Sequence, residues 1–139
     1  MRILGIDYGE KRLGIAISDP LGITAQGLTI IMRTQLDEDI QKIVDIVREK
    51  EVKTIVIGLP RHMNNTLGEK AQAVLAFVEQ IKAHIDIPVA TLDERLSTVR
   101  AERAMLEGNL SRKKRKGMVD MIAAQLILQS YLDSATKNI

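Results

Sequence analysis

Three short apolar runs follow one another at the start of the chain, with tight links between them. Residues 3–7, 13–18 and 27–32 each predict a strand, and the links contain Gly9 and the turn sequence at 19–22. Because the first link is too short for a helical crossover, the first two strands must form an antiparallel hairpin. The opening of the chain therefore predicts a three-stranded meander.

After this meander the spacing of the apolar residues alternates between that of helices and that of strands. Apolar residues at 40, 43, 44 and 47 recur at helical intervals, and Asp37 is expected to cap this first helix. A β-branched run at 52–58 predicts a fourth strand that is buried on both faces. Later patterns predict a helix over 71–81, a short strand over 88–92, a helix from Ser97 or Thr98 to about 108–109, and a last helix that reaches about Leu132. The order β-β-β-α-β-α-β-α-α predicts an α/β fold, a mixed five-stranded sheet with helices on its faces, in a single domain over 1–139.

Composition narrows the functional classes. The longest apolar stretches are far shorter than the roughly 20 residues that a membrane span requires, so no membrane segment is expected. The chain has no cysteine, which excludes disulfides and thiolate metal sites. We expect a cytoplasmic protein.

The distribution of charge is more informative than the net charge of +2. Residues 112–116 form an unbroken basic run, which can attract a polyanion even when the whole molecule is nearly neutral. A run of this kind is commonly just a solvated loop. Here it leads directly to Asp120, which favours a clamp for phosphates. Aromatic residues are scarce, so a nucleic acid would be recognised by its backbone and shape rather than by base stacking.

Acidic residues stand at the ends of three predicted elements: Asp7, the pair Asp93-Glu94, and Asp120. Each has an ordinary explanation by itself. Asp7 could cap a turn, Asp93-Glu94-Arg95 could be a surface salt-bridge cluster, and an Asp in the first turn of the last helix gains roughly 0.3–1 kcal/mol from the helix dipole. If the fold brings the three ends together, a hard divalent cation is the expected occupant, because crowded carboxylates need a positive charge between them.

Neighbouring residues refine this expectation. Side chains alternate across a strand, so Asp93 and Glu94 should point to opposite faces, and one of them should reach a shared site. Glycines at 5, 9 and 14 allow close approach of a phosphate to the backbone around Asp7. Lys11 and Arg12 add two cationic donors beside this carboxylate.

The motifs of the chain resemble those of the YqgF, or RuvX, family. The string G-I-D-Y-G-E-K-R-L-G-I-A at 5–16 resembles the opening motif, and G-L-P at 58–60, D-E-R-L-S-T at 93–98 and V-D-M-I-A-A-Q-L-I-L-Q-S-Y-L at 119–132 resemble later ones in order and spacing. The resemblance covers essentially the whole chain. It implies a ribonuclease H-like fold related to the RuvC resolvase, with sheet order 3-2-1-4-5 and an antiparallel second strand. Members are described both as Holliday junction resolvases and as nucleases that process the 5′ end of pre-16S rRNA.

The resemblance also implies the site. Asp7, Glu94 and Asp120 would be catalytic and would bind Mg²⁺ or Mn²⁺, with Asp93 as a further candidate ligand. We hypothesise hydrolysis of a phosphodiester with two metal ions, one to activate a water and one to stabilise the leaving oxygen. The residues expected to bind substrate are Lys11, Arg12, Arg95, Ser97, Arg112, Lys113, Lys114 and Arg115.

Other functions remain open on the residues alone. A strand that ends in G-x-D-x-G before a hairpin also opens the actin-like ATPases and sugar kinases, which close two such domains around a nucleotide. A non-catalytic factor for ribosome assembly or junction binding could keep the same acids. The choice between structured RNA and four-way DNA, and between a monomer and a homodimer, is likewise open.

Overall fold

The computed structural model describes residues 1–60, 67–94 and 112–137, with the backbone alone at 112–117 and 136–137. The strands are β1 (Arg2–Tyr8), β2 (Arg12–Ser18), β3 (Ala25–Met32), β4 (Val52–Leu59) and β5 (Val89–Asp93). The helices are α1 (Leu36–Glu49), α2 (Glu69–Lys82) and α3 (Arg112–Lys137). All five predicted strands are confirmed. The helix predicted at 97–109 lies outside the described residues.

The strands form one sheet in the order β3-β2-β1-β4-β5. β2 is antiparallel to both of its neighbours, whereas β1, β4 and β5 run parallel to one another. The predicted order and the antiparallel second strand are therefore confirmed. Because parallel strands end at the same edge, the carboxyl ends of β1, β4 and β5 meet there, and β2 starts there.

The two faces of the sheet carry different helices. One face packs against α1 and α2 through large aliphatic residues, among them Leu4, Ile6 and Ile57. The other face packs against α3 through a smaller cluster that includes Ala16, Ala124 and Leu128. We call these the α1/α2 face and the α3 face. Alternation along a strand assigns its residues to these faces, except where the pairing register shifts, next to Arg2-Ile3 in the β1–β4 pair and next to Ile15-Ala16 in the β2–β3 pair.

The start of α1 corrects one prediction. The helix begins at Leu36, and Gln35 is the N-cap residue without a side-chain cap hydrogen bond. The expectation that Asp37 caps this helix is wrong, because Asp37 already lies in the first turn. It shares that turn with Glu38 and Asp39, where acidic side chains interact favourably with the helix dipole.

The start of α3 corrects a second pair of predictions. α3 begins at Arg112 and ends at Lys137, beyond the expected end at Leu132. The basic run at 112–116 is therefore helical and is not a loop. Asp120 lies about two turns into the helix, so its expected place in the first turn is wrong, and the dipole at the terminus does not account for it. No helix among the described residues is both long and apolar enough to span a bilayer.

The link between β2 and β3 is the turn that the sequence predicts. Asp19 Oδ1 accepts the backbone N–H groups of Ile23 at 2.7 Å and Thr24 at 2.8 Å. These N–H groups, foremost that of Thr24, hold the pKa of the Asp19 carboxyl below its ordinary value. The turn follows the carboxyl end of β2, at the opposite edge of the sheet from Asp7, so Asp19 belongs to the turn and not to the acidic site.

Candidate active site

Asp7 is a buried carboxylate near the end of β1, with 4% of its surface exposed. Ile3 belongs to the core of the α3 face, and alternation places Gly5 and Asp7 on that face too. Asp7 is paired with Gly14 of β2. On the other side, the pairing of Ile6 with Ile57 brings Gly58 of β4 beside Asp7. The carboxylate therefore lies between two glycines.

Glu94 reaches this place from β5, which does not adjoin β1. It directly follows the last residue of β5 and is buried, with 6% exposed. A Cβ added at Gly58 would lie only 2.7 Å from Glu94 Oε1. Since Gly58 has no side chain, the Glu94 carboxylate can cross β4 on the α3 face and approach Asp7.

Asp93 lies on the other face. It is the register partner of Leu59 in β4, and Leu59 belongs to the core of the α1/α2 face. The structure therefore places Asp93 and Glu94 on opposite sides of the sheet, and Glu94 shares a face with Asp7. The role of Asp93 as a metal ligand stays a prediction, and its position argues against it.

Asp120 approaches Asp7 from α3. The helix backbone crosses β2 so closely at this point that a Cβ at Gly14 would overlap the carbonyl oxygen of Asp120. Because Gly14 is the partner of Asp7, Asp120 lies next to Asp7 on the α3 face. Arg12 Nε donates to Asp120 Oδ2 at 2.9 Å, and the two side chains are 22% and 24% exposed. The three acids thus surround the end of β1 on one face.

The donor chemistry of this trio suits a hard divalent cation, which prefers carboxylate oxygens. Within the described part of the chain, however, no group of three His, Cys, Asp or Glu side chains lies close enough to hold a metal ion. The acids share a face, but Asp120 is turned toward Arg12. Their roles as ligands stay a prediction.

A cleft of about 680 Å³ opens at this edge of the sheet, and of the three acids Asp120 lines it. Lys11, Arg12 and Asp120 line it together with Tyr8 and residues from the start of α2. The structure thus places two predicted substrate-binding residues, Lys11 and Arg12, at a common cleft with Asp120. It adds Lys70, which the sequence analysis missed because an isolated lysine in the first turn of a helix has no distinguishing signal.

The sequence analysis also missed Arg33, which holds the turn between β1 and β2. Its backbone N–H donates to the carbonyl oxygen of Lys11 at 3.0 Å, and its Nη1 donates to that of Gly9 at 3.1 Å. The guanidinium lies 4.8 Å from the centre of the Tyr8 ring and 5.6 Å from that of Phe77. Such cation–π contacts favour a fixed side chain. Arg33 therefore fixes the turn that carries Lys11.

Asp39 completes the Arg33 cluster. It is 1% exposed and accepts Arg33 Nε at 3.2 Å and the backbone N–H of Thr34 at 3.1 Å. Burial opposes the charge of Arg33, but hydrogen bonds with Tyr8 and Asp39 outweigh it and raise the pKa of the guanidinium above its ordinary value. These residues come from separate segments of the chain, so no local sequence motif predicts that they form a cluster.

The structure does not describe the side chains of the other predicted substrate-binding residues. Arg95 and Ser97 lie outside the described residues. The backbone of Arg112, Lys113, Lys114 and Arg115 forms the first turn of α3. Their role in substrate binding stays a prediction.

Comparison with solved structures assigns the chain to the class of ribonuclease H-like folds, which RuvC-like resolvases share. RuvC of T. thermophilus in complex with a Holliday junction substrate matches with a TM-score of 0.60, at 15% identity, over 99% of this chain and 96% of that one. The fowlpox virus Holliday junction resolvase matches with a TM-score of 0.56, at 15% identity, over 96% of this chain and 99% of that one. At this identity the likeness shows the fold alone.

The chain belongs to the RuvX family, described as Holliday junction resolvase, which it matches over residues 1–134. A relative from Clostridium acetobutylicum is 56% identical over 134 residues, which cover 96% of this chain and 99% of that one. One from Desulforamulus reducens is 49% identical over 137 residues, which cover 99% and 100%. Both are provisionally named pre-16S rRNA nucleases. The predicted family and the predicted class of enzyme, a nuclease, are thereby confirmed.

Proposed function

We propose that this chain is a metal-dependent nuclease that hydrolyses phosphodiester bonds at the 5′ end of pre-16S rRNA. The observation that carries the proposal is that three acidic residues from distant segments lie on the α3 face near the end of β1. The Glu94 carboxylate lies over Gly58 of β4, the Asp120 backbone lies over Gly14 of β2, and these two glycines flank Asp7. Three acids brought together from three distant segments are hard to explain as separate caps and salt bridges.

The residues present fit Mg²⁺ or Mn²⁺, with Asp7, Glu94 and Asp120 as the side chains that would hold the ion or the pair of ions. Asp7 and Glu94 are buried, and a glycine clears the way between them. The chemistry that such an ion supplies when bound is stabilisation of charge on the phosphoryl oxygens and activation of a water. A rearrangement of Asp120 away from Arg12 would complete the set.

Cationic residues of this chain would bind and orient the substrate. Lys11 and Arg12 line the cleft together with Asp120, and the turn that carries Lys11 is fixed by Arg33. Farther out, the first turn of α3 contains no acidic residue and begins with consecutive cations. Cations there oppose the helix dipole, so a selected role in binding phosphates accounts for them better than stability does.

The names of the relatives favour precursor rRNA as the substrate, since two near-full-length relatives at 49% and 56% identity carry that assignment. A second candidate, resolution of four-way DNA, is favoured by the description of the family. Few aromatic side chains are available to stack on bases, so either substrate would be recognised mainly by shape and backbone.

The proposal is tested by a cleavage assay on an end-labelled pre-16S rRNA fragment and a four-way DNA junction, side by side. Each substrate is incubated with Mg²⁺, Mn²⁺ or a chelator. We expect metal-dependent cleavage of the rRNA fragment near its 5′ end. Asp7→Asn should reduce the rate by about 10³-fold or more, roughly 4 kcal/mol of barrier, while its circular dichroism stays that of the unmodified protein.

The outcomes separate the candidates. Preferential cutting of the junction would favour the resolvase, and a two-fold junction would then require a dimer. Salt-dependent RNA binding without cleavage, equal in the unmodified protein and Asp7→Asn, would overturn the nuclease and favour an assembly factor.

A further inference from the structure

We infer that Arg12 is a positioning residue that withholds the Asp120 carboxylate from the cation site until a nucleic acid phosphate draws the guanidinium away. The inference rests on the proposed function, because it concerns the same acidic site. It adds a coupling between substrate and metal that the proposed function does not require.

The geometry places Arg12 beside Asp120 on the α3 face. Arg12 opens β2 and lies two residues before Gly14, so alternation puts both on the same face of the strand. Asp120 lies directly over Gly14, and its Oδ2 accepts Arg12 Nε at 2.9 Å. This ion pair directs the Asp120 carboxylate toward Arg12.

A guanidinium in this position competes with a divalent cation. It neutralises the carboxylate that would serve as a ligand, and its own charge repels a second cation nearby. No group of three ligands within the described residues is close enough to hold a metal, in keeping with an acid that is held elsewhere. Release of Asp120 from Arg12 is therefore part of forming the site.

A phosphodiester can provide that release. Arg12 lines the cleft and is partly exposed, so a substrate phosphate can reach its guanidinium. Guanidinium groups bind phosphate through paired hydrogen bonds, which makes a phosphate a suitable replacement for the carboxylate. Nucleic acid and metal would then favour each other's binding, and the coupling must be reciprocal.

The test measures Mn²⁺ binding to the full chain by the electron paramagnetic resonance of free Mn²⁺, in the absence of nucleic acid. We expect Arg12→Gln to bind Mn²⁺ about 10-fold more tightly than the unmodified protein. Lys11→Gln is the matched control. It removes the same charge one residue away, in the same cleft, and should change the affinity by no more than about 2-fold. Arg12→Met keeps the aliphatic stem and serves as a second variant if the glutamine destabilises the fold.

The reciprocal effect is measured on RNA affinity, by fluorescence anisotropy with a 2′-O-methyl version of the precursor fragment. Mn²⁺ should tighten RNA binding by about 10-fold in the unmodified protein and in Lys11→Gln, relative to chelator. In Arg12→Gln most of this tightening should disappear. Binding of Mn²⁺ by the RNA itself is the same in all three comparisons and cancels.

Failure of the inference is distinct from failure of the proposed function. If Mn²⁺ binds the unmodified protein and not Asp7→Asn, while Arg12→Gln behaves as Lys11→Gln does, the withholding role of Arg12 is wrong and the metal site stands. If RNA does not bind, or if the tightening persists in Arg12→Gln, the coupling is wrong. If Mn²⁺ binds neither the unmodified protein nor Asp7→Asn, the metal-dependent nuclease and the inference both fall.

Discussion

The two faces of the same sheet are built on opposite principles. On the α1/α2 face, β1 and β4 present Leu4, Ile6, Ile55 and Ile57, all fully buried large side chains. On the α3 face, the alternate positions of these strands and of β2 include Gly5, Gly14 and Gly58. Large side chains fill the first interface with apolar contact. On the second, the lack of a side chain at these three glycines lets a helix backbone and a carboxylate come close to the sheet.

At the glycines of the α3 face, less apolar surface is buried, and the neighbouring helix and carboxylate lie closer to the sheet. Each glycine gives up the burial of a side chain, at roughly 25 cal/mol per Å² of apolar surface. In return Asp120 crosses at Gly14 and Glu94 crosses at Gly58, where any Cβ would collide with them. The α1/α2 face therefore carries the larger apolar core, and the α3 face provides the position of the acids.

The largest expected effect compares the adjacent acids on the two faces. Glu94→Gln removes a charge from the acidic site and should lower kcat by about 10³-fold, roughly 4 kcal/mol of barrier. Asp93→Asn makes the same chemical change on the α1/α2 face and should keep the rate within about 10-fold. Single-turnover cleavage of the rRNA fragment measures both. An equal loss in the two variants would show that the assignment of Glu94 by face is wrong.

A smaller effect is expected from filling the glycines. In Gly58→Ala the new Cβ would meet Glu94 Oε1 at 2.7 Å and Ile127 Cδ1 at 2.6 Å. In Gly5→Ala the three atoms nearest to the new Cβ all belong to α3, with Leu128 Cβ at 2.7 Å. Both should lower the free energy of unfolding by about 1–3 kcal/mol, because neighbours must shift. Only Gly58→Ala should also displace Glu94 and reduce cleavage by about 100-fold.

Urea titration provides the unfolding free energies, and activity is then compared per folded molecule. If Gly5→Ala loses as much activity as Gly58→Ala, a general shift of α3 would explain both losses. The specific role of Gly58 as the passage for Glu94 would then be excluded.

Much of the fold follows from local patterns. Period-two and helical spacings locate all five strands and the helices of the described residues, because burial of one face imposes those periods. The first and last residues of each element follow less directly from these periods. The basic run at 112–116 has no apolar face to signal a helix, so it reads as a loop, and the place of Asp120 within α3 depended on it.

The candidate site follows from sequence only in part. Asp7, Glu94 and Asp120 are visible as acids at the ends of elements, and a resemblance between motifs groups them. The passage over Gly58 and the pairing of Arg12 with Asp120 are tertiary contacts, the second between residues 108 positions apart. The Arg33 cluster likewise joins segments with no common motif. The acids can be identified from the sequence. The role of Gly14 and Gly58 in placing them follows only from the pairing of the strands.

The smallest expected effect comes from removing the same methyl group on each of the two faces. Ile43 packs on the α1/α2 face and Ile127 on the α3 face, and both are fully buried. Replacement of either by valine removes Cδ1 and should lower the free energy of unfolding by about 0.5–1.5 kcal/mol. Ile127 Cδ1, however, lies 2.6 Å from the position a Gly58 Cβ would take, and Glu94 Oε1 lies 2.7 Å from the same position. Its loss leaves room for the carboxylate to move, so Ile127→Val should lower kcat a few-fold while Ile43→Val leaves it unchanged.

Thermal unfolding and single-turnover rates, measured on the same samples, separate the change in stability from the change in kcat. A pair of variants alike in both would mean that packing around Glu94 does not control its position, and that the contrast between the faces concerns stability alone.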